Sequence, residues 1–185
     1  MAIIIRGLSV SKGIAIGKCY VLSRGQIRIE EEIIEQKLVS KEALHFDKAI
    51  KKTINQLKSI KNKISPSIKK NVGLFLDTHI LLVKDEAFLS NIKNKIFKKN
   101  FSAQWAVYSE YLDIEKSFNN IKDSYIKQRI DDINHIVNII LENLDVKKNK
   151  TKKISKYFAK HIIVTDELSP ADVLLAHESK VLGLI

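Results

Sequence analysis

Between Ile33 and Leu144 the chain has one glycine, Gly73, and one proline, Pro66. No other feature narrows the possible folds as much. A run this long with so few breakers, rich in Lys and Glu and periodic in its aliphatics, is confined to helices. Ile126, Ile130, Ile133, Val137, Ile140 and Leu144 recur at alternating steps of four and three, which puts them on one apolar stripe. Phe46, Ile50, Ile54, Leu57, Ile60 and Ile64 make a second stripe, and Ile68, Val72, Phe75, His79 and Leu82 a third. Ser65-Pro66 separates these last two, because proline starts a helix at its first turn but cannot continue one. A fourth helix is expected around Ala103 to Phe118, with the only tryptophan, Trp105.

Outside this region the texture turns to strands. Ile3 to Leu22 mixes β-rich runs (Ile3-Ile4-Ile5, Ile14-Ala15-Ile16, Cys19 to Leu22) with Gly7, Gly13 and Gly17, which predicts two or three strands with tight turns. After a lysine-rich break from Lys147 to Lys153, a strand is expected at His161 to Thr165, a helix opening at Ser169-Pro170, and a strand at Val181 to Ile185. That last strand has just begun when the sequence stops, without a turn or cap, so a longer polypeptide is expected. The order β, α, β implies an α+β protein. Segments 1–28 and 148–185 share one mixed α/β domain, and 29–147 is an inserted four-helix bundle.

With 185 residues, 45% of them hydrophobic, each part can bury a core. The net charge of +11 raises the question of a nucleic-acid surface. The charge is nearly all lysine, however, spread along the chain and accompanied by abundant Ile and Asn, which points to compositional bias instead. Cys19 is the single cysteine and has no partner for an internal disulfide. Arg6 interrupts the apolar start, so no signal peptide is read there, and no stretch reaches the roughly 20 apolar residues of a membrane span. A cytoplasmic protein is expected.

Few segments carry chemistry. Asp166-Glu167-Leu168-Ser169-Pro170-Ala171-Asp172 follows a strand and opens a helix, with Ser169 as N-cap. It reads equally as a well-made helix start or as a hydroxyl beside exposed N–H groups suited to a phosphate. Gly13 to Lys18 imitates a phosphate-binding loop but has three residues between its glycines instead of four, and Cys19 where Ser or Thr is required. None of His45, His79, His135, His161 and His177 has an acidic or cysteine neighbour at nucleophile or metal spacing. The helix of His79 carries a second heptad-spaced line, Leu74, Leu81 and Phe88. Such a line marks either a partner surface or a helix buried all round.

Four motifs, in order, resemble the Enzyme I family of bacterial phosphotransferases. Ile5-Arg6-Gly7 with Ser11 to Lys18 is similar to the family's Ser-x-Gly-Ile-Ala-x-Gly start. Asp77 to Glu86 is similar to its His-x-x-Leu-x-x-Asp helix kink, and Tyr125 to Asp132 to its Tyr-Leu-x-Glu-Arg-x-x-Asp motif. Leu168 to Asp172 and Val181 to Ile185 match the approach to its active site.

The resemblance implies a mixed α/β phosphohistidine (swivelling) domain, incomplete at its carboxy end, with an inserted bundle that binds the carrier protein HPr. The family's acceptor histidine follows the strand at which this sequence stops, so no catalytic residue is expected within it. Phosphoenolpyruvate and magnesium belong to a carboxy-terminal barrel, which also makes the full-length protein a homodimer; this piece is expected to be a monomer. Ser169 matches a hydroxyl that supports the resting histidine, and Arg129 an arginine near the phosphoryl path. Leu74, His79, Leu81, Leu82, Asp85, Glu86, Phe88, Phe118 and Arg129 fall at HPr-docking positions. One departure concerns charge: Lys69, Lys70, Asn71 and Lys84 stand where the family usually presents acidic groups to a basic HPr. The alternatives are the nitrogen-regulatory paralogue and, in another class, a non-catalytic helical adaptor or basic nucleic-acid binder.

Overall fold

The computed structural model describes residues 4, 7–22, 29–63, 69–118, 124–145, 158–165, 168 and 170–185. It is mostly helical with a small parallel sheet, and divides into two compact units, 1–24 with 152–185 and 25–151. The expected strand at Ile3 to Ile5, apart from Ile4, the Ser65-Pro66 break, the Lys147 to Lys153 break, the domain joints near 28 and 148, and Ser169 itself lie outside the described residues.

In the first unit, β1 (Lys18–Leu22), β2 (His161–Thr165) and β3 (Gly183–Leu184) form a parallel sheet in that order. Tyr20 pairs with Ile163 and Ile163 with Leu184, so these three share one face. With Leu22 they pack a core against Phe158, Leu175 and Ala176. β2 is a run of β-branched residues, and α6 (Pro170–Glu178) crosses from it to β3, the connection parallel strands require. Ile14 to Ile16, expected as a strand, is not one, and Ile14 and Ile16 are exposed. The chain there lies close over the sheet: a Cβ on Gly17 would meet Leu182 Cδ1 at 2.7 Å and the Lys160 carbonyl oxygen at 3.1 Å.

The second unit contains α1 (Val39–Lys63), α2 (Lys69–Val83), α3 (Glu86–Lys99), α4 (Ala103–Phe118) and α5 (Ser124–Leu144). Five helices are described where four were expected, because the segment read as one helix through Phe88 is broken between Val83 and Glu86. Asp85 makes the break. Its carboxylate accepts from the Phe88 amide at 2.8 Å and caps α3, while the amides of Lys84 and Asp85 bond back to the carbonyls of Leu81 and Leu82.

The core is formed by Phe46, Ala49, Ile50 and Leu57 of α1, Leu76 and Val83 of α2, Ile92 and Ile96 of α3, Ala106 and Val107 of α4, and Ile136, Ile140 and Leu144 of α5. On α1 and α5 the expected stripes face inward where they are described, although Ile54, Ile60, Ile130 and Ile133 are only half-buried. On α2 the stripe is turned. Val72, Phe75 and Leu82 are half-buried, while Gly73, Leu76, His79, Ile80 and Val83 are buried.

Polar cross-links fix the helices in register. Lys61 of α1 bonds both carboxylate oxygens of Asp77 on α2, at 2.6 and 2.7 Å. Asn143 of α5 donates to the fully buried Thr53 hydroxyl at 2.9 Å, and Lys93 of α3 pairs with Asp47 of α1 at 2.8 Å. Glu42 of α1 accepts the Ala103 amide at 2.8 Å, satisfying one orphan N–H at the start of α4 while Ser102 takes that of Trp105. Glu42→Ala should therefore lower stability by about 1 kcal/mol in chemical unfolding, with Glu42→Gln recovering most of it; equal loss in both variants would mean that charge, and not the acceptor, is what matters.

Candidate docking surface

Turning the core face of α2 toward Leu76, Ile80 and Val83 leaves another face to water. Leu74 and Leu81 are 70% and 69% exposed, so of the two readings of this line the all-round buried helix is excluded at both residues. They lie seven residues apart on one helix, on the same side, with Thr78 between them and its hydroxyl donating to the Leu74 carbonyl at 3.1 Å. Leu82 is half-buried beside them. Two exposed leucines on a helix that already buries its other side make a surface with no structural use inside this unit.

The other expected contacts divide. Phe88 is half-buried on α3, beyond the break, so heptad spacing does not place it in line with Leu81. Asp85 and Glu86 are exposed at the start of α3, where negative charge suits a helix amino end. Lys84 is exposed in the turn, and Phe118 is half-buried at the last residue of α4. Arg129 lies within α5, but its side chain is outside the described residues.

His79 must be corrected. It is 1% exposed, with its ring 4.0 Å from that of Phe75 and 5.7 Å from that of His135, so it stands behind the surface and cannot touch a partner there.

The sequence reading missed a charged network between α3 and α4. Lys95, 8% exposed, bonds Glu110 at 2.9 Å, Asp113 at 2.7 Å and the Ser109 hydroxyl at 3.2 Å, and Asn91 donates to the other Glu110 oxygen at 2.9 Å. Glu110 is 5% exposed. The hydrogen bond from Lys95 holds the Asp113 carboxyl below its ordinary range against the opposing effect of burial, so whatever Asp113 contributes to stability is present at neutral pH and lost as pH falls. Nearby, burial and a hydrogen bond to Glu115 push the Tyr111 phenol well up. A visible signal existed for this network: Lys95 sits among Ile92 and Ile96, and Glu110 follows Ala103, Ala106 and Val107 at helical spacing, charged residues at core positions on two neighbouring helices.

Residues 6–129 match the model of the family described as PEP-utilising enzyme, N-terminal. The chain belongs to this family. It is similar to a phosphoenolpyruvate-protein phosphotransferase of Buchnera aphidicola subsp. Baizongia pistaciae, 28% identical over 181 residues, which are 98% of this chain and 31% of that protein. Among solved structures, an NMR solution structure of Enzyme I matches with a TM-score of 0.75 at 26% identity, covering 94% of this chain and 69% of that one. The N-terminal domain of nitrogen Enzyme 1 matches at 0.66 and 18% identity, over 93% and 69%, a likeness of fold alone. This member of the PEP-utilising family thus spans about a third of the length of the curated relatives it matches. Among the described residues, no group of three or more His, Cys, Asp or Glu is placed to hold a metal ion, and no helix is long and apolar enough to cross a membrane.

Proposed function

We infer that this chain is the amino-terminal part of a phosphoenolpyruvate-protein phosphotransferase, and that its helical unit docks the carrier HPr in the cytoplasm. The observation that carries the docking is the exposure of Leu74 and Leu81, 70% and 69%, on a helix whose opposite face is core. Leu82, Asp85, Glu86 and Phe88 extend the surface past the helix break, and Phe118 and Arg129 edge it. His79 supports it from behind. Counting α2 and α3 as one helix broken at Lys84 and Asp85 gives the four-helix bundle of the family.

The first unit supplies part of the phosphohistidine domain, in which Ser169 orients the acceptor histidine of the longer protein. Phosphoenolpyruvate and magnesium act in the part of the relatives that this chain does not match, and the full-length protein is a homodimer through that part. The nitrogen branch has only a likeness of fold in its favour.

Titrating the isotope-labelled chain with HPr of the same organism tests the docking. Amide shifts should concentrate at Leu74, Leu81 and the turn through Glu86. Shifts confined to α1 and the sheet would overturn the assignment.

A further inference from the structure

α1 turns to water an arc that carries charge of one sign. Lys41, Lys48, Lys51, Lys52 and Lys58 are exposed on it, and at about 100° per residue they fall within about 120° of the helix circumference. The other exposed residues of the arc are neutral, and no carboxylate lies in it. Glu42 is half-buried and accepts the Ala103 amide, and Asp47, at the border, is paired with Lys93. Among the described residues none of the five lysines has an ion pair. Abundant lysine accounts for their number but not for this segregation: α3 exposes Glu86 as well as Lys98, α4 Asp113 as well as Lys116, and α5 Asp131. With Phe46, Ala49, Ile50 and Leu57 already in the core, the basic arc has no use inside the unit. We propose that it binds an anionic phospholipid surface and holds the helical unit reversibly against a membrane.

The form of the row selects a membrane. From Lys41 to Lys58 it runs about 26 Å along the helix, and a straight helix meets a plane along its whole length, so all five ammonium groups reach one layer of headgroup phosphates together. Lysine brings a point charge on a flexible stem, without the fixed fork of arginine, which suits headgroups that diffuse. A nucleic acid asks for something else. Single strands are held by rings on which bases stack and duplexes are read by arginine forks, and the arc has neither an aromatic residue nor an arginine. Leu44, 62% exposed between Lys41 and Lys48, is the apolar side chain of the arc and can enter the boundary between headgroups and acyl chains. One such residue does not anchor a protein, so the attachment is set by charge and released by salt.

This contact uses α1 and does not depend on HPr docking at α2. Co-sedimentation of the chain with vesicles tests it. Binding to vesicles of mixed phosphatidylglycerol and phosphatidylcholine should exceed binding to phosphatidylcholine alone by about tenfold or more at about 0.1 M salt, and should vanish at about 0.5 M. Lys48→Glu with Lys52→Glu should weaken it by about tenfold or more while the helical circular dichroism stays the same. Lys98→Glu with Lys116→Glu, an equal change of net charge away from α1, should leave it within about twofold. Equal loss in the two double variants would reduce the effect to net charge and overturn the assignment, as would absence of binding to the anionic vesicles. If charge reversal disturbs α1, Lys48→Gln with Lys52→Gln must still lower binding, and undiminished binding there overturns the proposal. Duplex DNA or transfer RNA that displaces the chain from the vesicles, and loses its own binding in the α1 variant, would make the arc a nucleic-acid surface and overturn the membrane reading.

Discussion

Leu81→Asp should weaken HPr binding by about thirty-fold or more, the equivalent of about 2 kcal/mol for removal of an apolar anchor, while leaving the helical circular dichroism and the unfolding midpoint nearly unchanged. Both halves of this expectation follow from one number. At 69% exposure Leu81 contributes little to the core, so a charge there is already in water and the fold tolerates it. In the complex the same carboxylate would be desolvated against a partner without compensation. Leu74→Asp should act alike, because it shares the face and the exposure, 70%. Leu76→Asp, at 1% exposure on the opposite face of the same helix, should instead unfold the unit, which makes it the control for a merely structural effect. Unchanged affinity in Leu81→Asp, measured calorimetrically, removes α2 from the interface.

Salt adds a second reading of the same surface. Lys84 is exposed between Leu81 and the acidic pair Asp85 and Glu86, so the rim is mixed in sign and no single-signed field steers the partner. The partner's docking face should be less basic than is usual for HPr, and affinity should vary only weakly with ionic strength. A steep salt dependence would mean that other charges, on the side chains of Lys69, Lys70 or Arg129, dominate the encounter.

What could be read from the sequence follows from the kind of signal each element carries. β2 at His161 to Thr165 and α4 at Ala103 to Phe118 were legible to the residue, since a β-branched run and a capped, glycine-free run each have one physical outcome. α2 was not, because Leu74, Leu76, Ile80, Leu81, Leu82 and Val83 surround the helix with apolar groups. Periodicity then fixes that a helix exists but not which arc turns inward; only α1 and α5 decide that. Phe88 was joined to Leu81 by counting sevens, although Asp85 followed by Glu86 is an amino-cap signal in the middle of the count. Ile14 to Ile16 had strand composition but no strand, because a strand also needs an edge to pair with, which composition cannot supply. Of the candidate site, exposure of the two leucines could only come from the packing, as could burial of His79.

The network at Lys95 yields the largest expected loss of stability. Lys95→Ala leaves Glu110, 5% exposed, with the Asn91 amide bond but without its ion-pair partner, whereas Asp113, with its side chain 57% exposed, simply turns to water. Breaking a buried ion pair from one side costs about 3–5 kcal/mol, a large part of the total stability of a unit this size. Lys95→Met restores the volume but not the charge, so it should recover only a fraction. The double variant Lys95→Met with Glu110→Leu should return to within about 1 kcal/mol of the original or exceed it, because desolvation of both charges is then avoided. Function enters through geometry. α3 carries Phe88 and α4 ends at Phe118, and the network ties these helices together, so Lys95→Ala should loosen both edges of the docking surface while Leu74 and Leu81 keep their places on α2. Denaturant unfolding of the three variants, with HPr affinity measured under folding conditions, separates the two effects. If Lys95→Ala and the double variant unfold at the same denaturant concentration, Glu110 is solvated in the folded chain and the network is a surface feature.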